Sequence, residues 1–198
     1  MEITKLTDNL KALGYSVSCF DCKEDAASYL VSVLAGATVG FGGSVTLQEM
    51  GLYEALIGKA SVFWHWKSAD GKKAISLAQD AEYYLCSVNA LAESGEIVNI
   101  DGNCNRVAAM VYGHKKVFFV VGINKICESL DEAVARARNV AAPKNAQRLN
   151  RKTPCAVKGD RCYNCKSPER ICKNLSVLWQ KPSAQDIEVV IIGESLGY

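Results

Sequence analysis

Cys155, Cys162, Cys165 and Cys172 share one short stretch, with six residues, then two, then six between successive thiols. A single loop with that spacing can wrap one metal centre, since soft thiolates suit zinc or iron–sulfur. Structural zinc ribbons use two x2 pairs and this stretch has one, which favours a [4Fe–4S] cluster and leaves zinc as the alternative. Buried or disulfide-paired cysteines are the plainer reading. Disulfides need an oxidising compartment, and the opening MEITKLTDNL lacks the basic-then-apolar pattern of a signal peptide. No apolar run is long enough to cross a bilayer. The expectation is a cytoplasmic protein that does not engage a membrane.

A second constellation is Gly42-Gly43-Ser44-Val45-Thr46, which follows the apolar run Ala37–Phe41. A strand, a glycine turn and a helix start put free backbone N–H groups and hydroxyls at one point, which suits an anion. A tight turn that merely needs glycine is the competing reading. Between two further strands lies a polar segment containing Asn89, Glu93, Asp101, Gly102, Asn105 and Arg106. Asn and Asp can hydrogen-bond a polar ligand, and Arg106 can grip a carboxylate in two places. Asp-Gly sequences also simply make turns.

Weaker candidates surround these. Cys19 and Cys22 have redox-pair spacing without the usual small apolar inner residues. Cys86 and Cys127 read as core fillers, and the Cys104 thiol could face a ligand. Trp64-His65-Trp66 could stack on a flat substrate or anchor a core. His114, beside two lysines, reads as a solvated turn.

The net charge of +2 is unevenly placed. From Lys144 to Lys181 ten Lys/Arg face only Asp160 and Glu169, so the remainder of the chain is net −6. A nucleic-acid-binding tail would be more basic and poorer in cysteine, so no nucleic-acid partner is expected.

The elements that must hold these groups alternate. Helical spacing covers Ile3–Leu13, residues 22–35, the stretch from Thr46, Gly71–Glu82 and Ser129–Asn139. Apolar strands occupy Tyr15–Phe20, Ala37–Phe41, Ala60–Trp64, Tyr83–Val88 and Lys116–Val121, with Leu175–Trp179 and Ile187–Ile192 expected to close the sheet. Such alternation gives an α/β fold: a mainly parallel sheet with helices on both faces. At 198 residues one domain spanning 1–198 is expected, with a Cys-rich metal-binding loop at 153–173 as its only long irregular segment.

The phrases GFGGSVTLQEMGL, NALAESGEIVNIDGNCNRVAAMVYG and KKVFFVVGINKI resemble, in that order, the LUD (lactate utilisation) family, and the resemblance runs from Leu6 to Gly193. It implies a fold like that of the sugar-phosphate isomerase and coenzyme A transferase superfamily. It also implies a role in lactate or related 2-hydroxy-acid utilisation, alongside iron–sulfur or flavin oxidoreductase subunits. Within that superfamily Glu93-Ser94-Gly95-Glu96-Ile97 is similar to the stretch that carries the transferases' glutamate nucleophile, although Val98-Asn99-Ile100 stands where those enzymes have further glycines. The resemblance thus makes Glu93 the candidate nucleophile, acid or base. The alternatives are a coenzyme A or acyl transferase working through Glu93, and a non-catalytic iron–sulfur or zinc module of an oxidoreductase complex.

Overall fold

The structure, a computed structural model, describes residues 3–198. Its main sheet has six strands: β1 (Ser16–Phe20), β2 (Thr38–Phe41), β3 (Ser61–Trp64), β4 (Tyr83–Cys86), β7 (Lys116–Gly122) and β10 (Ile187–Ile192). Their order is β1-β10-β7-β4-β2-β3, and every pairing is parallel. Side chains alternate across a strand, so β7 divides between two cores. Val117, Phe119 and Val121 meet Leu6 and Leu10 of α1 (Ile3–Ala12) together with Ala109 and Met110 of α6 (Asn105–Val111). Phe118 and Val120 meet Leu30 and Leu34 of α2 (Lys23–Leu34), and Leu47, Leu52 and Leu56 of α3 (Val45–Glu49) and α4 (Leu52–Leu56). Helices therefore cover both faces, as the alternation requires.

A second sheet was not foreseen. It comprises β5 (Ala90–Ala92), β6 (Ile97–Asp101), β8 (Ile126–Cys127) and β9 (Asn174–Leu178), in the order β8-β5-β6-β9. The apolar run at Leu175–Trp179 thus does not close the main sheet: it pairs antiparallel with β6. Hydrophobicity alone identified a strand but could not choose its partner. One face of this small sheet packs Ala90, Ala92 and Val98 on Ala133 of α7 (Leu130–Arg136) and on Ala137. Alanines on both sides let helix and sheet approach closely.

After α7 the helix widens into a π stretch, Ala137–Ala141, before α8 (Ala142–Arg148). Pro143 explains the widening, because it offers no N–H to a carbonyl four residues back. The expected loop at 153–173 begins with one helical turn, α9 (Pro154–Lys158), which Gly159 ends in the left-handed region. His114 is buried rather than solvated, with Nδ1 2.7 Å from the Ala81 carbonyl oxygen. Burial, more than the opposing pull of that carbonyl, pushes its pKa down. Two adjacent lysines disguised an interior residue. No described helix is long and apolar enough to cross a membrane.

Candidate functional site

The carboxyl ends of β2, β3, β4 and β7 open into one cavity of about 420 Å³. Ligands of open parallel sheets bind at such ends. Gly43, Ser44, Val45 and Thr46 line it from β2, and His65 and Trp66 from β3. Ser87 and Asn89 come from β4, and Lys125 from the 3₁₀ turn after β7. The expected ligand residues Asp101, Gly102, Asn105 and Arg106 line the same cavity, and so does the basic wall of Arg148, Arg151, Arg170 and Lys173.

Ser44 caps α3, its hydroxyl accepting from the Leu47 N–H at 3.2 Å. Thr46, expected to start this helix, instead lies within its first turn. Among the described residues no acceptor is found for the N–H groups of Gly43, Ser44, Val45 or Thr46. The glycines here answer to space rather than to an unusual φ. A Cβ on Gly42 would stand 3.2 Å from Cδ of Arg106, and one on Gly43 would stand 3.1 Å from the Trp66 ring. Gly42, expected among the ligand residues, does not line the cavity, whereas Gly43–Thr46 do.

Arg106 is a clamp. It donates to the Asn99 side chain (2.6 Å) and the Ser87 carbonyl (3.2 Å) through one terminal nitrogen, and to the Ile100 carbonyl (2.8 Å) and Asn89 Oδ1 (3.4 Å) through the other. Asp101 lies 3.9 Å from its Nε. Both terminal nitrogens are thereby committed to tying β4, β6 and α6 together, and what reaches the cavity is mainly its charge. Asn89 and Asp101 are also occupied. Asn89 Oδ1 accepts from the Ile100 N–H at 2.7 Å, and Asp101 accepts from the N–H groups of Asn103, Cys104 and Val107. Cys104 takes φ +62 as it enters α6 and is exposed.

Opposite lies an aromatic shelf. Trp64 and Trp66 stack at 5.2 Å, and the Arg148 guanidinium sits 4.4 Å from the Trp66 ring centroid. Arg148 donates to Asn145 Oδ1 (2.8 Å) and to the Tyr198 hydroxyl (2.9 Å). Burial first, then Arg148, lowers the pKa of His65.

Glu93 is elsewhere. Strand β5 carries the chain from Asn89 at the cavity towards Glu93, about 13 Å away at the usual rise per residue. There its carboxylate lies 3.3 Å from Lys5 Nζ of α1, and its carbonyl accepts from Asn9. Gly95 takes φ +106 in this hairpin, where a Cβ would strike Leu13 at 2.6 Å. The Glu93–Ile97 stretch is thus a turn docked on α1. The structure does not bring Glu93 to the cavity.

The cysteines come partly together. All nine are free, and Cys86 is fully buried while Cys127 is partly so. Arg170 donates to the carbonyls of Cys172 (2.8 Å) and Cys165 (2.9 Å). The Cys172 thiol, then those of Cys165 and Cys162, hold its guanidinium more firmly protonated. Cys155 sits on α9 with its sulfur 3.3 Å from the Thr153 hydroxyl. No three of the four thiols lie within 4.8 Å of one another, whereas one tetrahedral zinc would set them about 3.8 Å apart from its bond lengths. A cluster interposes its own atoms and so sets its thiols farther apart than a lone ion does.

A family model described as the LUD domain matches residues 3–192. The chain belongs to the LUD domain family. Among solved structures, a DUF162 family protein from Deinococcus radiodurans matches this LUD chain with a TM-score of 0.55 at 13% identity, covering 96% of this chain and 95% of that one. That likeness speaks for the fold. The beta subunit of eIF2B from Chaetomium thermophilum matches at a TM-score of 0.33 and 14% identity, over 64% of this chain and 39% of its own. No functionally curated protein matches.

The LUD chain also holds site residues that sequence reasoning passed over: Lys125, Ser87, Arg148 and Tyr198. Lys125 and Ser87 left one signal, a polar residue just past an apolar parallel strand. Arg148 and Tyr198 arrive through helix docking and the terminal tail, and neither has a local motif.

Proposed function

We propose that this LUD protein serves lactate or related 2-hydroxy-acid metabolism, holding a small anionic molecule in the strand-end cavity beside a metal centre at Cys155, Cys162, Cys165 and Cys172. The observation that carries the reading is a shared wall. Pro168, Glu169, Arg170, Ile171 and Lys173 line the ligand cavity, and the same segment bears Cys165 and Cys172. A second cavity of about 320 Å³ on the other side of Arg170 is lined by Cys162 and Cys172.

Physical arguments support an anion. Lys125, Arg106, Arg148, Arg151, Arg170 and Lys173 face the cavity against Asp101 and Glu169. Orphan N–H groups at Gly43–Thr46 add partial positive charge at the same end, and Asn105 offers a side chain to orient the ligand. The flat Trp66–Arg148 pair forms one side of the cavity.

A [4Fe–4S] cluster on the four cysteines, or zinc in its place, suits the thiolate donors, and Arg170 would offset their negative charge. A cluster would supply one-electron transfer to iron–sulfur or flavin oxidoreductase subunits. Anaerobic purification with iron, zinc and acid-labile sulfide analysis tests the centre. Iron and sulfide in near-equal amounts are expected, zinc alone would select the alternative, and absence of all three would sink it.

A further inference from the structure

We infer that Lys125 is the cavity's covalent group, and that its side-chain amine forms an imine with the carbonyl carbon of a small 2-oxo carboxylate. The inference rests on the reading of the cavity as an anion site and names the ligand class that would fill it.

Lys125 is only 3% exposed, yet it lines the cavity. Its Nζ donates to the Thr46 and Ser87 hydroxyls, each at 2.7 Å, and among the described residues no carboxylate lies within 4.0 Å of it. A buried lysine is ordinarily paired with an acid. Here burial comes first among the causes that push the amine pKa down to about 7, with the charges of Arg136 and Arg106 pushing the same way and the more distant Glu49 and Cys86 opposing them. The Cys86 thiol is itself pushed up to about 12 by burial, so it is neutral and supplies no counter-charge at physiological pH. Arg136 is spoken for by the carbonyls of Asn124 and Asn89. Desolvation beside other cations is how a lysine becomes nucleophilic at neutral pH.

The ligand class follows from Thr46. Its backbone N–H belongs to the orphan donors of the anion loop, and its hydroxyl touches Nζ. A carboxylate on that loop therefore places the adjacent carbon, rather than a remote one, against the amine. A carbonyl there makes the ligand a 2-oxo acid. The amine lone pair adds to the carbonyl carbon, and the carbonyl oxygen takes up a proton to give a carbinolamine. Loss of that hydroxyl as water, with the nitrogen releasing its protons, leaves the C=N bond. No further reactant is needed, and the Ser87 and Thr46 hydroxyls stand where the protons move. The chain at Gly197 shields the site: a Cβ there would lie 2.6 Å from Thr46 Oγ1 and 3.3 Å from Nζ.

The test is incubation of the intact protein with pyruvate or glyoxylate and cyanoborohydride near neutral pH, followed by peptide mapping, with equilibrium dialysis of the radiolabelled acid in parallel. The expected result is a single reduced adduct on Lys125. Its formation should fall as pH drops below about 7, where the amine protonates. Lys125→Arg should abolish it, and Ser87→Ala should slow it about a hundredfold, the low end for a positioned proton-transfer group. Saturable binding without an adduct at Lys125, or labelling spread evenly over surface lysines, would overturn the role of the amine while leaving the anion site standing. Absence of binding in the dialysis would remove the anion site, and the inference with it.

Discussion

The carbonyl oxygen of Ile171 lies 2.7 Å from where a Cβ on Gly102 would stand. The Lys173 N–H donates to the Asp101 carbonyl at 2.9 Å beside this contact. The cysteine-bearing segment is thus laid flush on the ligand loop. Gly102→Ala would force the two backbones apart. A loss of about 1–3 kcal/mol is expected, as for other overpacked contacts, together with weaker binding of small carboxylates. Urea unfolding and calorimetric titration would read the two effects.

Arg106→Ala should cost stability as well as affinity. Sequence reasoning cast Arg106 as a ligand grip. Its terminal nitrogens, however, satisfy Asn99, Ser87, Ile100 and Asn89. Leaving buried acceptors unpaired costs about 1–3 kcal/mol each, less where water can enter from the cavity. Arg106→Lys should rescue little, since an ammonium cannot fork between two strands. A thermal midpoint equal to that of the unaltered protein would refute the clamp.

Acid should weaken the fold through Glu188. This carboxylate is buried in β10, where Lys116 Nζ lies at 2.7 Å and the hydroxyls of Ser18 and Tyr29 donate at 2.6 and 2.7 Å. Burial alone would raise its pKa, but these three partners together bring it below the ordinary carboxylate value. A folded pKa below the unfolded one gives stability that is present above the unfolded value and lost as pH falls through the folded one. Glu188→Gln should therefore lower stability at neutral pH and flatten its decline in acid, as read from urea midpoints across that range.

The cysteine segment has few apolar side chains, and ligation would supply the energy that packing does not. In metal-loaded protein Cys165→Ser should open Lys158, Arg161 and Lys166 to trypsin while the sheet stays folded. Air should act likewise on a cluster but not on zinc. Equal protection of variant and parent would show that the segment orders itself.

The alternation of the main sheet was legible because each strand carries its own apolar run, and β7 alone announces a doubly covered centre. The small sheet was not, because β5 and β8 have three and two residues and draw their meaning from pairing. The Gly42–Thr46 loop and the Asn89–Arg106 segment could be read from spacing; of their residues Gly43–Thr46, Asn89, Asp101, Gly102, Asn105 and Arg106 line one cavity, and Gly42 does not. Glu93 could not be placed, because a hairpin of unknown length decides which end of a strand a residue occupies. Lys125 and Arg148 carry no motif at all: burial makes the first unusual, and stacking on Trp66 the second.

The central claim is that the anion cavity and the cysteine segment form one site. Its most direct test is the binding isotherm of pyruvate on anaerobically prepared protein, measured before and after the cysteine-bound metal is stripped. Saturable binding in the loaded protein, weakened at least about tenfold (1.4 kcal/mol) once the Pro168–Lys173 wall loosens, is the predicted result. Identical isotherms, or no saturable binding in the loaded protein, would contradict it.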